Sequence, residues 1–315
     1  MGKQLDPQAQ ALLDVMEAVG APPLYTLPVA QARAQMHSAL CTRGAPLALE
    51  SVEDLSLPSP HGALALRLYR PRPGTLALAL LLHGGGWTLN DIDTHDALCR
   101  RIARRSGWLV ASLDYRRAPE HRHPAALEDA RFAYEWLRES APRLGARPQS
   151  IALVGESSGA NTAAALALLL RDRGAPPPVF QALAYPLADV PDRWPSHAER
   201  GSGYTLDRPL VRWFTEQYLP PDFDPGEPYR DPYLFPLGAP DLRGLPPALV
   251  MTAEFDPLRD EGVAYAERLA AAGVPVEHVH ADDQMHGFLL VDRAIMRAGE
   301  LIDLLADALA ARTQG

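Results

Sequence analysis

The chain has 315 residues, 47% hydrophobic and 22% charged, which is the composition of a globular protein long enough for a large core. A formal charge of −9 argues against the basic surface that nucleic acid or an anionic membrane requires. Two cysteines, Cys41 and Cys99, give neither a disulfide framework nor a metal-ligand spacing, and no run of about 20 apolar residues is present to cross a bilayer.

Residues 1–10 are polar and lack the apolar centre of a signal peptide, which makes the cytoplasm the default location. Residues 7–19 carry Leu12, Leu13, Val15, Met16 and Val19 at helical spacing, with Asp6 as cap and Gly20 as stop. A second helix is predicted at 28–40. Between them Leu24, Tyr25 and Leu27 are apolar with no strand to join. This segment is either an extension packed on the core or a lid, and the lid is the preferred reading. A hairpin follows, from Val52, Leu55 and Leu57 through a turn at 58–62 to Leu64, Leu66 and Leu68. Strands at 76–82, 108–113, 151–154 and 179–184 then alternate with helices at 93–106, 124–140 and 160–172. That order predicts an α/β protein with a largely parallel sheet. The alternation stops at 187–224, an insert rich in Trp, Tyr and Phe with one predicted helix at 209–218. It resumes with strand 248–252, helix 260–272, strand 275–280 and a terminal helix at 289–311.

Residues 151–161 organise the chain. Ile151 to Val154 read as a buried strand, Gly155-Glu156-Ser157-Ser158-Gly159 as a sharp turn, and Thr162 onward as a buried helix. Strand, Gly-x-Ser-x-Gly and helix are the context of a nucleophile elbow, which presents Ser157. A serine hydroxyl needs a general base, and the base needs an orienting acid, in the chain order Ser, acid, His. Asp256 follows strand 248–252 and is chosen over Glu254 and over Asp260, which falls where helix capping explains it. His286 lies beyond the last strand and beside Gly287, whereas His278 and His280 lie within that strand. His83-Gly84-Gly85-Gly86 follows a buried strand and supplies N–H groups for an oxyanion, from Gly85 and Gly86, with Ser158 contributing from the helix start. A phosphate loop is disfavoured because no Lys-Ser/Thr follows. No His or acid pair has metal-ligand spacing.

Taken together these motifs resemble the hormone-sensitive-lipase-like branch of the α/β-hydrolases, in particular its bacterial carboxylesterases. The branch carries His-Gly-Gly-Gly, here 83–86, and Asp-Tyr-Arg-x-Ala-Pro-Glu-His, here 114–121. Asp256-Pro257-Leu258 and His286-Gly287-Phe288 match its acid and base motifs. The likeness spans nearly the whole chain. The usual elbow is Gly-Asp-Ser-Ala-Gly-Gly, so Glu156, Ser158 and Ala160 depart from it, and Arg117 stands where Leu is common. The longer Glu156 side chain requires its partner to shift.

The resemblance implies an eight-stranded α/β-hydrolase core at 47–186 and 225–315, with a cap built from 1–46 and 187–224. It implies Trp87 and Tyr185 lining the site, small uncharged acyl esters as substrates, and no cofactor. No nucleic acid or stable membrane partner is expected, and the protein is read as a monomer or homodimer. Two other functions share this fold. One is a binding protein without catalysis, like the gibberellin receptors, which lack the histidine found here as His286. The other is an amide or formamide hydrolase.

Overall fold

A computed structural model describes residues 3–41 and 46–314. The expected cap segment 1–46 therefore includes positions 1–2 and 42–45, which lie outside the described residues. The hairpin forms as β1 (Ser51–Ser59) and β2 (Gly62–Arg70), antiparallel, with Ser59 opposite Gly62. The strands that follow are β3 (Leu78–Leu82), β4 (Leu109–Asp114), β5 (Ile151–Glu156), β6 (Phe180–Ala184), β7 (Ala248–Phe255) and β8 (Val276–Met285). They make one eight-stranded sheet in the order β1-β2-β4-β3-β5-β6-β7-β8. β2 runs antiparallel to β4, and every pair from there to β8 is parallel.

Both faces of the central strands are covered, which is why their sequences are apolar without a break. Leu78, Leu80 and Leu82 turn to one core layer, Ala79 and Leu81 to the other. The helices are α1 (Pro7–Val19), α2 (Val29–Leu40), α3 (Asp96–Ser106), α4 (Ala125–Ser140), α5 (Ser158–Asp172), α6 (Ser196–Glu199), α7 (Arg208–Tyr218), α8 (Arg259–Ala271) and α9 (Met296–Ala310). Leu98 and Ile102 of α3 meet Leu301 and Ile302 of α9 on one face of the sheet. Tyr134 of α4, Leu166 of α5 and Leu269 of α8 fill the other. Every residue of α5 from Ser158 to Leu170 is buried, and its alanines let it lie close beneath the strands.

α1 begins at Asp6, whose carboxylate accepts the Gln8 N–H at 2.7 Å, and ends at left-handed Gly20. Only part of its apolar stripe turns inward: Leu12 and Leu13 pack on the α9 layer, while Val15, Met16 and Val19 are exposed. Leu24 and Tyr25, in a short 3-10 turn, pack with Met36 on the layer that holds Leu210, Val211 and Phe214 of α7.

Two elements differ most from the sequence expectation. β8 runs on to Met285 instead of stopping at residue 280, because its end pairs with β7 across a bulge: Ala253 faces Ala281, but Phe255 faces Met285. Asp282, Asp283 and Gln284 in that stretch have no apolar alternation to betray a strand. The terminal helix begins at Met296, not 289; Phe288–Leu290 form a 3-10 turn that buries Phe288 and Leu289 beneath the site.

Candidate active site

Ser157 sits between β5 and α5 with φ 55° and ψ −123°, a conformation that strains any residue with a Cβ. The chain can turn so sharply because Gly155 and Gly159 lack side chains. A Cβ on Gly155 would overlap the Gly159 carbonyl, and one on Gly159 would overlap the Leu82 carbonyl at the end of β3. The turn lifts the Ser157 hydroxyl to 2.9 Å from Nε2 of His286. Nδ1 of His286 lies 2.7 Å from Oδ2 of Asp256. Asp256 is fully buried, and its other oxygen accepts the Leu258 N–H at 2.8 Å. A carboxylate can only accept, so Nδ1 carries the proton and the Nε2 lone pair faces the serine O–H.

The β7–β8 bulge delivers His286 to this position, as bulges beside functional sites do. Gly287, at φ 79°, turns the chain away immediately after it. Thr205 of the insert donates to the His286 carbonyl at 2.6 Å, and Tyr185 lies edge-on to the imidazole at 4.7 Å between centroids. Burial opposes charge on His286, but the Asp256 carboxylate beside it, together with Glu156 and Glu261, overcomes burial, so its pKa stands above the ordinary histidine value. The rejected candidates are engaged elsewhere. Glu254 bonds Arg200 at 2.7 Å, Lys3 at 3.0 Å, Arg259 at 3.1 Å and His280 at 3.1 Å. Burial raises its pKa, and these partners overcome it and hold the carboxyl near about 2. Asp260 accepts the Ser196 N–H at 2.9 Å, so it fastens the insert and does not cap α8. His278 and His280 both reach the Thr252 hydroxyl, at 2.9 Å each.

The glycine loop lies against the elbow. Gly85, Gly86, Trp87 and Asn90 all have positive φ. The Gly84 N–H donates to Glu156, and the Trp87 N–H donates to the Ser158 hydroxyl at 3.1 Å. Among the described residues, no acceptor takes up the N–H groups of Gly85, Gly86 or Ser158. Three unengaged donors beside a serine can receive a negative oxygen. Among the described residues, no group of three His, Cys, Asp or Glu side chains has metal-holding geometry.

A family model described as the α/β-hydrolase fold matches residues 79–290. This chain belongs to the α/β-hydrolase family. It is 43% identical over 296 residues to the carboxylic ester hydrolase LipN of Mycobacterium tuberculosis, covering 91% of this chain and 78% of that one. It is 37% identical over 316 residues to an ethyl acetate hydrolase of Pseudomonas putida, covering 97% and 98%. An ester hydrolase from the Lake Arreo metagenome, solved with a bipyridine phosphonate derivative, superposes with a TM-score of 0.94 at 37% identity, covering 99% and 100%. The resemblance drawn from the motifs is thus borne out over nearly the whole chain.

The hydrolase buries both of the residues expected to line the site. Tyr185 adjoins the base, as described above. Trp87 is fully buried; its ring stacks on Tyr218 at 3.9 Å and its indole N–H donates to Thr162 at 3.1 Å, both partners in the core. Other residues at the site were not singled out from sequence. A Cβ on Gly86 would overlap the Phe214 ring, so α7 rests directly on the glycine loop. Glu261 accepts the N–H of Ala188 at 2.7 Å and bonds His197 at 2.8 Å, fastening the start of the insert. Burial pushes its carboxyl up to about 7, against the pull of His197. Among the described residues, no helix is long and apolar enough to cross a membrane.

Proposed function

We propose that this α/β-hydrolase is a serine carboxylesterase acting on small, uncharged acyl esters through an acyl-enzyme on Ser157. The observation that carries the reading is the unbroken chain Asp256–His286–Ser157, with both links at or under 2.9 Å. Ser157 Oγ attacks the ester carbonyl while His286 Nε2 takes its proton. The tetrahedral oxyanion accepts from the N–H groups of Gly85, Gly86 and Ser158. Collapse expels the alcohol, which receives the proton from His286. Water then repeats the sequence on the acyl-enzyme, releasing the carboxylic acid and regenerating Ser157. Asp256 orients the imidazole throughout.

In this reading segments 1–46 and 187–224 form a cap over the strand ends, and the core comprises 47–186 and 225–315. The cap excludes water and receives the acyl chain, so short and medium chains are the substrates. The protein is taken as a cytoplasmic monomer or homodimer, to be checked by fractionation and light scattering. The deciding experiment is labelling by an organophosphate. It should modify Ser157 and abolish activity, and Ser157→Ala should lower kcat on the order of a million-fold. A loss below about tenfold would remove Ser157 from the nucleophile role.

A further inference from the structure

The elbow departs from its relatives' usual sequence at Glu156, and the structure shows what that longer side chain reaches. Its Oε1 accepts the Gly84 N–H and lies 3.0 Å from Nε2 of His95. A Cβ on Gly84 would overlap this carboxylate, so the contact is tight enough to require glycine there. His95 is fully buried and Glu156 nearly so. The Thr94 hydroxyl lies 2.7 Å from the Asp91 carbonyl, accepts the Asp91 N–H at 2.9 Å and lies 3.0 Å from Nδ1 of His95, which fixes one edge of the ring. On the other edge Nε2 faces the Glu156 carboxylate, which can only accept, so Nε2 carries a proton and donates it to Glu156.

We propose that Glu156 and His95 form a buried carboxylate–imidazole pair that fixes the oxyanion loop to the elbow, making Glu156 a positioning residue for ester hydrolysis. Gly84 is held from both sides: its N–H by Glu156, and its carbonyl by Nδ1–H of His83 at 2.8 Å. His83 is neutral. Its ring centroid is 5.5 Å from that of His95, and burial first, then the neighbouring His95, push its pKa down to about 3. Glu156 stays ionised because His95, His286 and the Gly84 N–H outweigh its burial. The charge of Glu156 also reaches the base, since Asp256, Glu156 and Glu261 together raise the His286 pKa against burial. Glu156 therefore sets the position of the donors and part of the basicity of His286.

This inference rests on the serine-esterase reading, and the test separates the two. In the full chain, Glu156→Gln and His95→Gln are compared with wild type by kcat and KM for p-nitrophenyl butyrate across pH. Each should lower kcat about 10- to 100-fold with KM within about threefold, as loss of oxyanion-hole geometry does. The acid limb should move to lower pH in Glu156→Gln, which loses a negative charge near His286. His95→Gln keeps that charge, so its limb should stay near that of wild type while its kcat falls. A role in stability alone would leave the limb of Glu156→Gln unmoved. Independently, the nitrogen resonances of wild-type His95 should show a proton on Nε2. An Nε2 without a proton, or folded variants with wild-type kcat and an unshifted Glu156→Gln limb, overturns the pair while organophosphate labelling of Ser157 leaves the esterase reading intact. An active wild-type enzyme unlabelled at Ser157 overturns both.

Discussion

Gly86→Ala tests whether the glycine loop is as tightly fixed as its contacts indicate. Gly86 has φ +61°, and a Cβ there would overlap the Phe214 ring of α7. Placing alanine in the left-handed region costs about 1–2 kcal/mol. Overpacking against a ring that is 8% exposed adds about 1–3 kcal/mol. If the loop holds, the protein loses about 2–5 kcal/mol of stability. If the loop yields instead, the Gly86 N–H leaves the proposed oxyanion hole, and kcat falls about 100- to 1,000-fold. Either way, the thermal midpoint or kcat on p-nitrophenyl acetate must drop. Phe214→Ala in the same chain removes the overlap but not the backbone strain. The double variant should therefore recover the steric share, with a coupling energy of about 1–3 kcal/mol. Wild-type kcat and midpoint in Gly86→Ala, or additive losses in the double variant, would refute the argument.

The base must be neutral to accept a proton, and its pKa is raised in the folded enzyme, so the acid limb of kcat/KM should lie above the ordinary histidine value; a midpoint below it removes the Asp256 contribution. Glu254 has a depressed pKa, so the stability it contributes is complete above the ordinary carboxylate range and is lost as pH falls through that range toward about 2. Melting curves from pH 6 to 3 should converge for wild type and Glu254→Gln, and parallel curves would contradict this. Each buried methylene favours binding by about 0.8 kcal/mol until the pocket is full, so activity on p-nitrophenyl esters should peak near about four to eight acyl carbons. Phe214→Ala should shift that optimum to longer chains, and an unmoved profile would take Phe214 out of the pocket. Dialysis against EDTA should leave activity unchanged, and loss restored by a divalent metal would break the proposed mechanism.

The elbow was legible because three signals coincide on one short stretch: an apolar strand, a glycine-spaced serine and an alanine-rich helix. The choice of Asp256 over Glu254 was less secure from spacing alone, since the two differ by a single strand register of two residues. The structure separates them by their partners. Glu254 enters a network with Arg200, Arg259, Lys3 and His280, and Asp256 emerges beyond the end of β7 toward His286. The extension of β8 was hidden because Asp282, Asp283 and Gln284 pair through their backbone, which leaves no mark on side-chain periodicity. Trp87 was placed at the site only through the resemblance; its contacts with Tyr218 and Thr162, reached with a positive φ of 55°, join positions 131 and 75 residues away that the local sequence does not connect to it. The partners of Glu156 lie 72 and 61 residues away in sequence, so its departure from the usual aspartate could be noticed but not explained.

Whether the N-terminal segment is lid or packed extension turns on what it holds. Arg33 of α2 donates to the Thr88 carbonyl at 2.8 Å, the Ala118 carbonyl at 2.9 Å and the Glu120 carboxylate at 2.7 Å. The ion pair is partly exposed and contributes little. The bond to Thr88 matters more, because Thr88 lies two residues beyond Gly86 of the proposed oxyanion loop. At the other end of the segment, the Asp6 N–H donates to the Asp283 carbonyl at 2.8 Å, at the bulged end of β8 that leads into His286. One end of the segment thus bonds the residues that follow the glycine loop and the other the strand that leads into His286. We propose that a piece fastened at both ends in this way acts as a wall, not as a hinged door. Its removal should therefore disturb the chemistry of even the smallest ester, where a simple lid would affect only the choice among longer ones.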